Sequence, residues 1–361
     1  MSNSKKVKIT KGVYVALAFV AAMVLVLTLN ISGILKLVLE LALLGLFLFI
    51  RRGFIFLYRA AALLQNGQYD KAWPKLEKAY KSGVGDEGLV MIGSAYVQYG
   101  DPKRGLDILD EVSSKAKDEN LKNNAIITAS MGYWRLGDLD KAIEVLTAVK
   151  ESGYCDTNLL VNLETYLLKK GDLPKALEII KEGRKDGLES NGLLDNRGWY
   201  NILAGEWKKA ADVYDELIDD RNARFPEAYL HGAQISIHNG NISQAIDRLS
   251  WGNTKIYSST CLTSKNYVDK LLLGLQNPKT RDAFAKAMEE NYKKVACSEE
   301  FEGFELACEF DPSIEGVILP NEKPVYDPNK KVSQASSEET INTDVDEDDD
   351  RIPNTDLGDD E

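Results

Sequence analysis

A short signature returns six times along this chain at nearly constant spacing, and that regularity restricts the fold more than any other feature. The copies are Gly67-Gln68-Tyr69-Asp70-Lys71-Ala72, Gly100-Asp101-Pro102-Lys103-Arg104-Gly105, Gly137-Asp138-Leu139-Asp140-Lys141-Ala142, Gly171-Asp172-Leu173-Pro174-Lys175-Ala176, Gly205-Glu206-Trp207-Lys208-Lys209-Ala210 and Gly240-Asn241-Ile242-Ser243-Gln244-Ala245. Their glycines stand 33, 37, 34, 34 and 35 residues apart. Such a period marks stacked helix pairs, each too small to bury its apolar face without its neighbours. The expected product is a long concave surface rather than a catalytic pocket.

Each copy makes sense as the turn of a helical hairpin. Gly ends the first helix by taking a left-handed conformation at little cost. Asp101, Asp138, Asp172 and Asn241 are placed to cap the next helix, and Pro102 and Pro174 fall in its first turn, where a missing N–H does little harm. Five positions after the Gly stands a small residue that lets two helices approach: Ala72, Gly105, Ala142, Ala176, Ala210 and Ala245. Nine positions after it stands Leu76, Leu109, Leu146, Ile180, Tyr214 or Leu249. The preceding helices carry apolar and small residues at helical intervals, as in Leu89, Ile92, Gly93 and Tyr96, then Ile126, Ala129, Ser130 and Tyr133. The 37-residue step predicts a longer loop around Lys115 to Asn123.

These features resemble the tetratricopeptide repeat, and Pro226-Glu227-Ala228-Tyr229-Leu230-His231-Gly232-Ala233 is similar to the opening of one. The likeness covers residues 54–258, about six repeats. Glu164 and Leu167 depart from the small and aromatic positions of the fourth copy, and Asn201 from the aromatic position of the fifth. In that family the first helix of each repeat lines the concave face. By position, the resemblance implies a partner-binding groove of Trp134, Arg135, Asn158, Asn162, Lys169, Asp195, Asn196, Trp199, His231, Gln234 and His238. Asn162 and Asn196 fall at equivalent positions one copy apart, like an amide ladder on a peptide backbone. The family's cationic clamp for acidic C-termini is incomplete, because Gly192 and Asn196 stand at clamp positions.

The N-terminus predicts a membrane anchor. Val13–Leu29 holds seventeen residues without a charge, and a second apolar stretch runs from Ile34 to Ile50, broken only by Lys36 and Glu40. With a few flanking residues each would reach the ~30 Å hydrocarbon core. Residues 13–50 therefore read as two transmembrane helices joined at Asn30-Ile31-Ser32-Gly33. Lys36 and Glu40 share a helix face and partly neutralise each other, and Lys36 lies near enough to the turn to snorkel. Lys5, Lys6, Lys8 and Lys11 before the first span, with Arg51, Arg52 and Arg59 after the second, predict both ends on the cytoplasmic side of the plasma membrane. The segment 1–12 then forms a basic cytoplasmic N-terminus. Four cysteines without C-x-x-C spacing fit a reducing compartment.

Beyond Tyr257 the period fades. Leu262–Leu275 and Thr280–Ala296 read as helices, the second with Phe284, Met288 and Tyr292 on one stripe, and residues 259–311 are expected to cap the array. Residues 312–361, rich in Asp, Glu, Ser and Pro, read as a disordered acidic tail. That tail suits three roles: a solvated extension, a lure for a basic partner, or a pseudo-ligand for the chain's own groove, the last motivated by Arg135 and Lys169.

A net charge of -12 argues against sequence-independent nucleic-acid binding. Gly83-Val84-Gly85-Asp86-Glu87-Gly88 matches G-x-G-x-x-G in form but follows a helix, so it reads as an inter-repeat loop. His231 and His238, seven apart on one helix, lack further ligands for a metal, and no catalytic residue, cofactor or enzymatic activity is expected. The sequence thus predicts an all-α chain: a transmembrane helical hairpin, a tetratricopeptide-like α-solenoid and the acidic tail. Its expected work is that of a membrane-anchored scaffold gripping a protein or peptide partner. The alternative is a non-catalytic assembly or regulatory subunit of a larger membrane complex.

Overall fold

A computed structural model describes residues 11–307, so the basic residues 1–10 and the acidic tail 312–361 lie outside the described residues. Among the described residues the chain forms seventeen α-helices and no strand. It divides into two compact units, Met1–Ile92 and Gly93–Glu361.

The first unit holds α1 (Lys11–Thr28), α2 (Gly33–Ile50), α3 (Arg52–Gln65), α4 (Tyr69–Ser82) and the start of α5 (Gly85–Tyr99). α1 and α2 run antiparallel. Phe19 meets Phe47 edge-on at 5.1 Å, and Lys36 Nζ donates to the Leu27 carbonyl at 2.8 Å. Lys36 therefore turns to the end of α1 rather than to Glu40.

Of the two expected membrane spans, one is supported. Among the described residues, Gly33–Ile50 is the one helix found long and apolar enough to cross a membrane, and the apolar stretch Tyr14–Thr28 of α1 is shorter. α1 and α2 are each eighteen residues long, about 27 Å at ~1.5 Å per residue, close to the ~30 Å core. Arg51 alone separates α2 from α3, and its guanidinium lies 4.8 Å from the Phe54 ring while that of Arg52 lies 3.9 Å from Phe49. α3 and α4 pack through buried Leu57, Ala60, Leu64, Ala72, Leu76 and Ala79. Gly83 closes α4 with φ +74° and Gly85 opens α5, so the glycine motif is a helix–helix junction.

The second unit continues the hairpins: α6 (Pro102–Lys115), α7 (Glu119–Arg135), α8 (Leu139–Glu151), α9 (Thr157–Lys170), α10 (Leu173–Lys185), α11 (Asn191–Leu203), α12 (Trp207–Asp215), α13 (Pro226–His238) and α14 (Ile242–Gly252). The capping expectation holds at all four positions: Asp101, Asp138, Asp172 and Asn241 accept from the backbone N–H groups of Lys103, Lys141, Lys175 and Gln244. Gly171 shows why the turn needs its glycine. At φ +79° it lets the Asp172 N–H reach back to the Leu167 carbonyl at 2.9 Å, satisfying a helix-end acceptor. Gly100 differs, since it does not take a positive φ.

The recurring small residues are all buried, and so are the six apolar residues four positions beyond them. The 37-residue step goes into helix rather than loop. Only residues 116–118 separate α6 from α7, and α7 is seventeen residues long. Asp118 caps it through the N–H groups of Asn120 and Leu121.

A π-helical turn, Glu216–Asp220, extends α12, and Arg221 behind it pairs with Glu189 and Glu216. After α14 come α15 (Lys265–Gln276), α16 (Arg281–Glu290) and α17 (Tyr292–Ala296). The single helix predicted over Thr280–Ala296 breaks at Asn291, whose side chain donates to the carbonyls of Ala287 and Glu302. One apolar core runs through the middle repeats and takes in Ala296 and Cys297; a second joins α13 and α14 to α15, α16, Phe301 and Phe304.

Candidate partner-binding groove

The first helix of each hairpin in the second unit contributes one face to an inner surface. On α9, Asn158, Asn162 and Lys169 stand four and eleven residues apart, and at about 100° per residue they point nearly the same way. His231, Gln234 and His238, three and seven residues apart, share a face of α13 by the same geometry.

That surface already holds a length of polypeptide, and it is the chain's own. α17 packs against α11 and α13. Gln234 Nε2 donates to the Tyr292 carbonyl at 2.6 Å, and His231 Nε2 lies 3.1 Å from the Ala296 carbonyl, a distance that only an N–H on that nitrogen satisfies. Lys169 Nζ donates to the Cys297 carbonyl at 2.6 Å and pairs with the Glu299 carboxylate at 2.7 Å. Two inner helices, α9 and α13, thus grip residues 292–299 largely through main-chain oxygens, while α11 packs against α17. Trp207 adds an aromatic corner, stacked on His238 at 4.0 Å and edge-on to Tyr292 at 5.2 Å. His238 Nδ1 reaches Glu289 of α16 at 2.6 Å.

A buried polar relay supports this grip. Tyr214 Oη donates to the Asp195 carboxylate at 2.9 Å and sits 2.7 Å from His231 Nδ1, which is 3.2 Å from the same carboxylate. Trp199 lies over the His231 ring at 5.7 Å. Asp195, Trp199 and His231 are therefore beneath the inner surface, orienting His231 rather than facing solvent.

The remaining expected groove residues divide. Arg135 is spent on the end of α5, donating to the carbonyls of Tyr96, Val97 and Gly100, and its burial there lowers the guanidinium pKa. Trp134 packs on Tyr166 at 4.8 Å. Asn196 is fully buried; its amide donates to the Val161 carbonyl and to Glu164, and accepts from Thr165. The amide ladder of Asn162 and Asn196 is accordingly not formed, because Asn196 ties α11 to α9. Asn158 and Asn162 are half-buried, beyond the stretch of α9 that Lys169 commits to the C-terminal segment. The loop after α14 also reaches the unit's first repeat, where the Ser259 hydroxyl donates to the Gln98 carbonyl.

Glu164 fills the position that the repeat pattern gives to a small side chain. Its carboxyl is buried against Asn196, and burial pushes its pKa up to about 8. It lines a pocket of about 230 Å³ with Gly183, Leu188, Leu194 and Arg197. Among the described residues no group of three His, Cys, Asp or Glu could hold a metal ion.

Sequence reasoning placed Tyr292 on a helical stripe but missed Ala296, Cys297 and Glu299 as groove occupants and Tyr214 as part of the relay. No local signal marks them, since each gains its role from a contact between residues distant in sequence.

No family model matches this chain, and no curated protein matches it. Among solved structures it is similar to the TPR2AB-domain:pHSP90 complex of yeast Sti1, with 16% identity over 69% of this chain and 99% of that chain and a TM-score of 0.28. The functional reading rests on the chain's own residues.

Proposed function

We propose that this protein is a membrane-anchored interaction scaffold of the tetratricopeptide type, whose inner surface holds a short segment of a partner protein. The carrying observation is the way Lys169, His231 and Gln234 hold main-chain carbonyls of residues 292–297. Tyr292–Ala296 is the short helix α17, and the Ala296 and Cys297 carbonyls are acceptors at its end, so side chains that grip them hold a helix end with little regard to its sequence, and a few flanking pockets then select it. Anchoring at α2, with the repeats on the cytoplasmic side, confines this surface to the membrane and raises its effective concentration for a client there. The reading assigns the chain no catalytic step.

Photoreactive groups at Asn158 and Asn162, compared with groups at Glu178 and Lys181 on α10, test the reading in intact membranes. Discrete protein adducts from the α9 positions alone are expected. Equal labelling from both helices, or none from α9, would count against an inner-surface partner site.

A further inference from the structure

The inner surface is filled by residues 292–299, yet the fit leaves polar atoms unanswered on both sides. Trp199 Nε1 and Gln234 Oε1, from the inner helices, and Ser298 Oγ, from the segment itself, are buried without a hydrogen-bond partner. Each carries a desolvation cost, and a better-matched ligand would remove that of Gln234. Ser298 also sits at φ +53°, a left-handed conformation that is unfavourable for a residue bearing a Cβ. The contacts that do form use four main-chain carbonyls, that of Glu299 accepting from Tyr267 Oη at 2.9 Å, and the side-chain carboxylate of Glu299, which is half exposed.

We propose that residues 292–299 are an exchangeable internal ligand. The partner class is a peptide segment of matching layout: an aromatic residue, small side chains four and five positions later, and a carboxylate seven positions later. This rests on the reading of the inner surface as the partner site and adds its regulation: the surface is closed by the chain itself until a competing segment enters. Tyr292 supplies the aromatic contact to Trp207, Ala296 and Cys297 are buried in the first core, and Glu299 answers Lys169. An incoming segment that also offers a donor to Gln234 Oε1 gains over the resident one.

Cys297 reports on exchange, because it is buried only while the segment is seated. The test uses the full chain in detergent micelles with Cys155→Ser, Cys261→Ser and Cys308→Ser, so that maleimide labels Cys297 alone. The probe is a synthetic peptide of residues 290–301 carrying Cys297→Ser. Saturating peptide is expected to raise the labelling rate at least tenfold. Glu299→Lys in the chain is expected to raise the basal rate and to tighten peptide binding at least tenfold. The same peptide with Tyr292→Ala or Glu299→Gln is expected to bind at least fivefold more weakly. Labelling that neither millimolar peptide nor Glu299→Lys accelerates would overturn the proposal, making the segment a fixed part of the core. Protein adducts from Asn158 and Asn162 with Cys297 still protected would overturn this inference alone and leave the scaffold reading standing. Exchange with the peptide but no α9 adducts in membranes would do the reverse.

Discussion

Replacing Glu164 by Gln isolates the energetics of one buried carboxyl. Glu164 lies on α9 with its carboxyl almost wholly out of water, and burial raises its pKa from 4.5 to about 8, against a smaller lowering by the Asn196 amide. Between those two values the folded chain keeps a proton that the unfolded chain has released. Stability contributed by this group is therefore full below pH 4.5 and is lost as pH rises toward 8. At ~1.36 kcal/mol per pH unit, the penalty is below ~1 kcal/mol at pH 5 and about 4 kcal/mol at pH 8. Gln has the shape of the protonated acid, can still accept from Asn196, and carries no charge to desolvate. Glu164→Gln should therefore raise the melting temperature of the full chain in detergent by roughly 10 °C at pH 8 and by only a degree or two at pH 5, taking ~2–4 °C per kcal/mol. Circular dichroism melts of both proteins at the two pH values decide it. An equal difference at pH 5 and pH 8 would falsify the assignment of a neutral, buried carboxyl.

Other expectations follow from named contacts. A Cβ at Gly198 would stand 2.6 Å from the Tyr214 ring, so Gly198→Ala should cost about 1–3 kcal/mol in urea unfolding; no loss would mean that the two helices are less closely packed. Asp138→Ala removes the oxygen that accepts from the Lys141 N–H and should cost ~1 kcal/mol by the same assay. In the otherwise unaltered chain, exposed Cys155 should be alkylated well before Cys297, whose thiol burial pushes up to about 11, and mass spectrometry of the partly labelled protein would reveal any reversal of that order. Deleting residues 33–50 should release the chain from membranes at alkaline pH while the intact chain stays bound; retention of both would place the anchor elsewhere.

Much of this architecture is legible because the repeat carries its physics locally. Gly171, Asp172 and Ala176 each answer a need met within a few residues: a left-handed turn, an uncapped N–H and a close helix approach. Six repetitions of that logic make the hairpins readable. Where length rather than chemistry had to be read, the outcome was harder to foresee. Three extra residues before Gly137 extend α7, because Ala125, Ala129 and Gly132 let it pack along its whole length.

The inner surface is a different problem. Helical periodicity correctly puts Lys169, His231 and Gln234 on the first helices, but it cannot say what meets them, because Lys169 and Cys297 are 128 residues apart. Nor does it separate a residue on the surface from one just beneath. Asn196 and Asn162 occupy equivalent repeat positions, yet Asn196 turns inward because Glu164, in a place meant for a small side chain, offers it a buried acceptor. One irregular residue in the fourth repeat thereby removes a rung from the expected ladder. It leaves Lys169, His231 and Gln234 as the groups that grip main chain, and residues 292–299 show what kind of chain those three can hold.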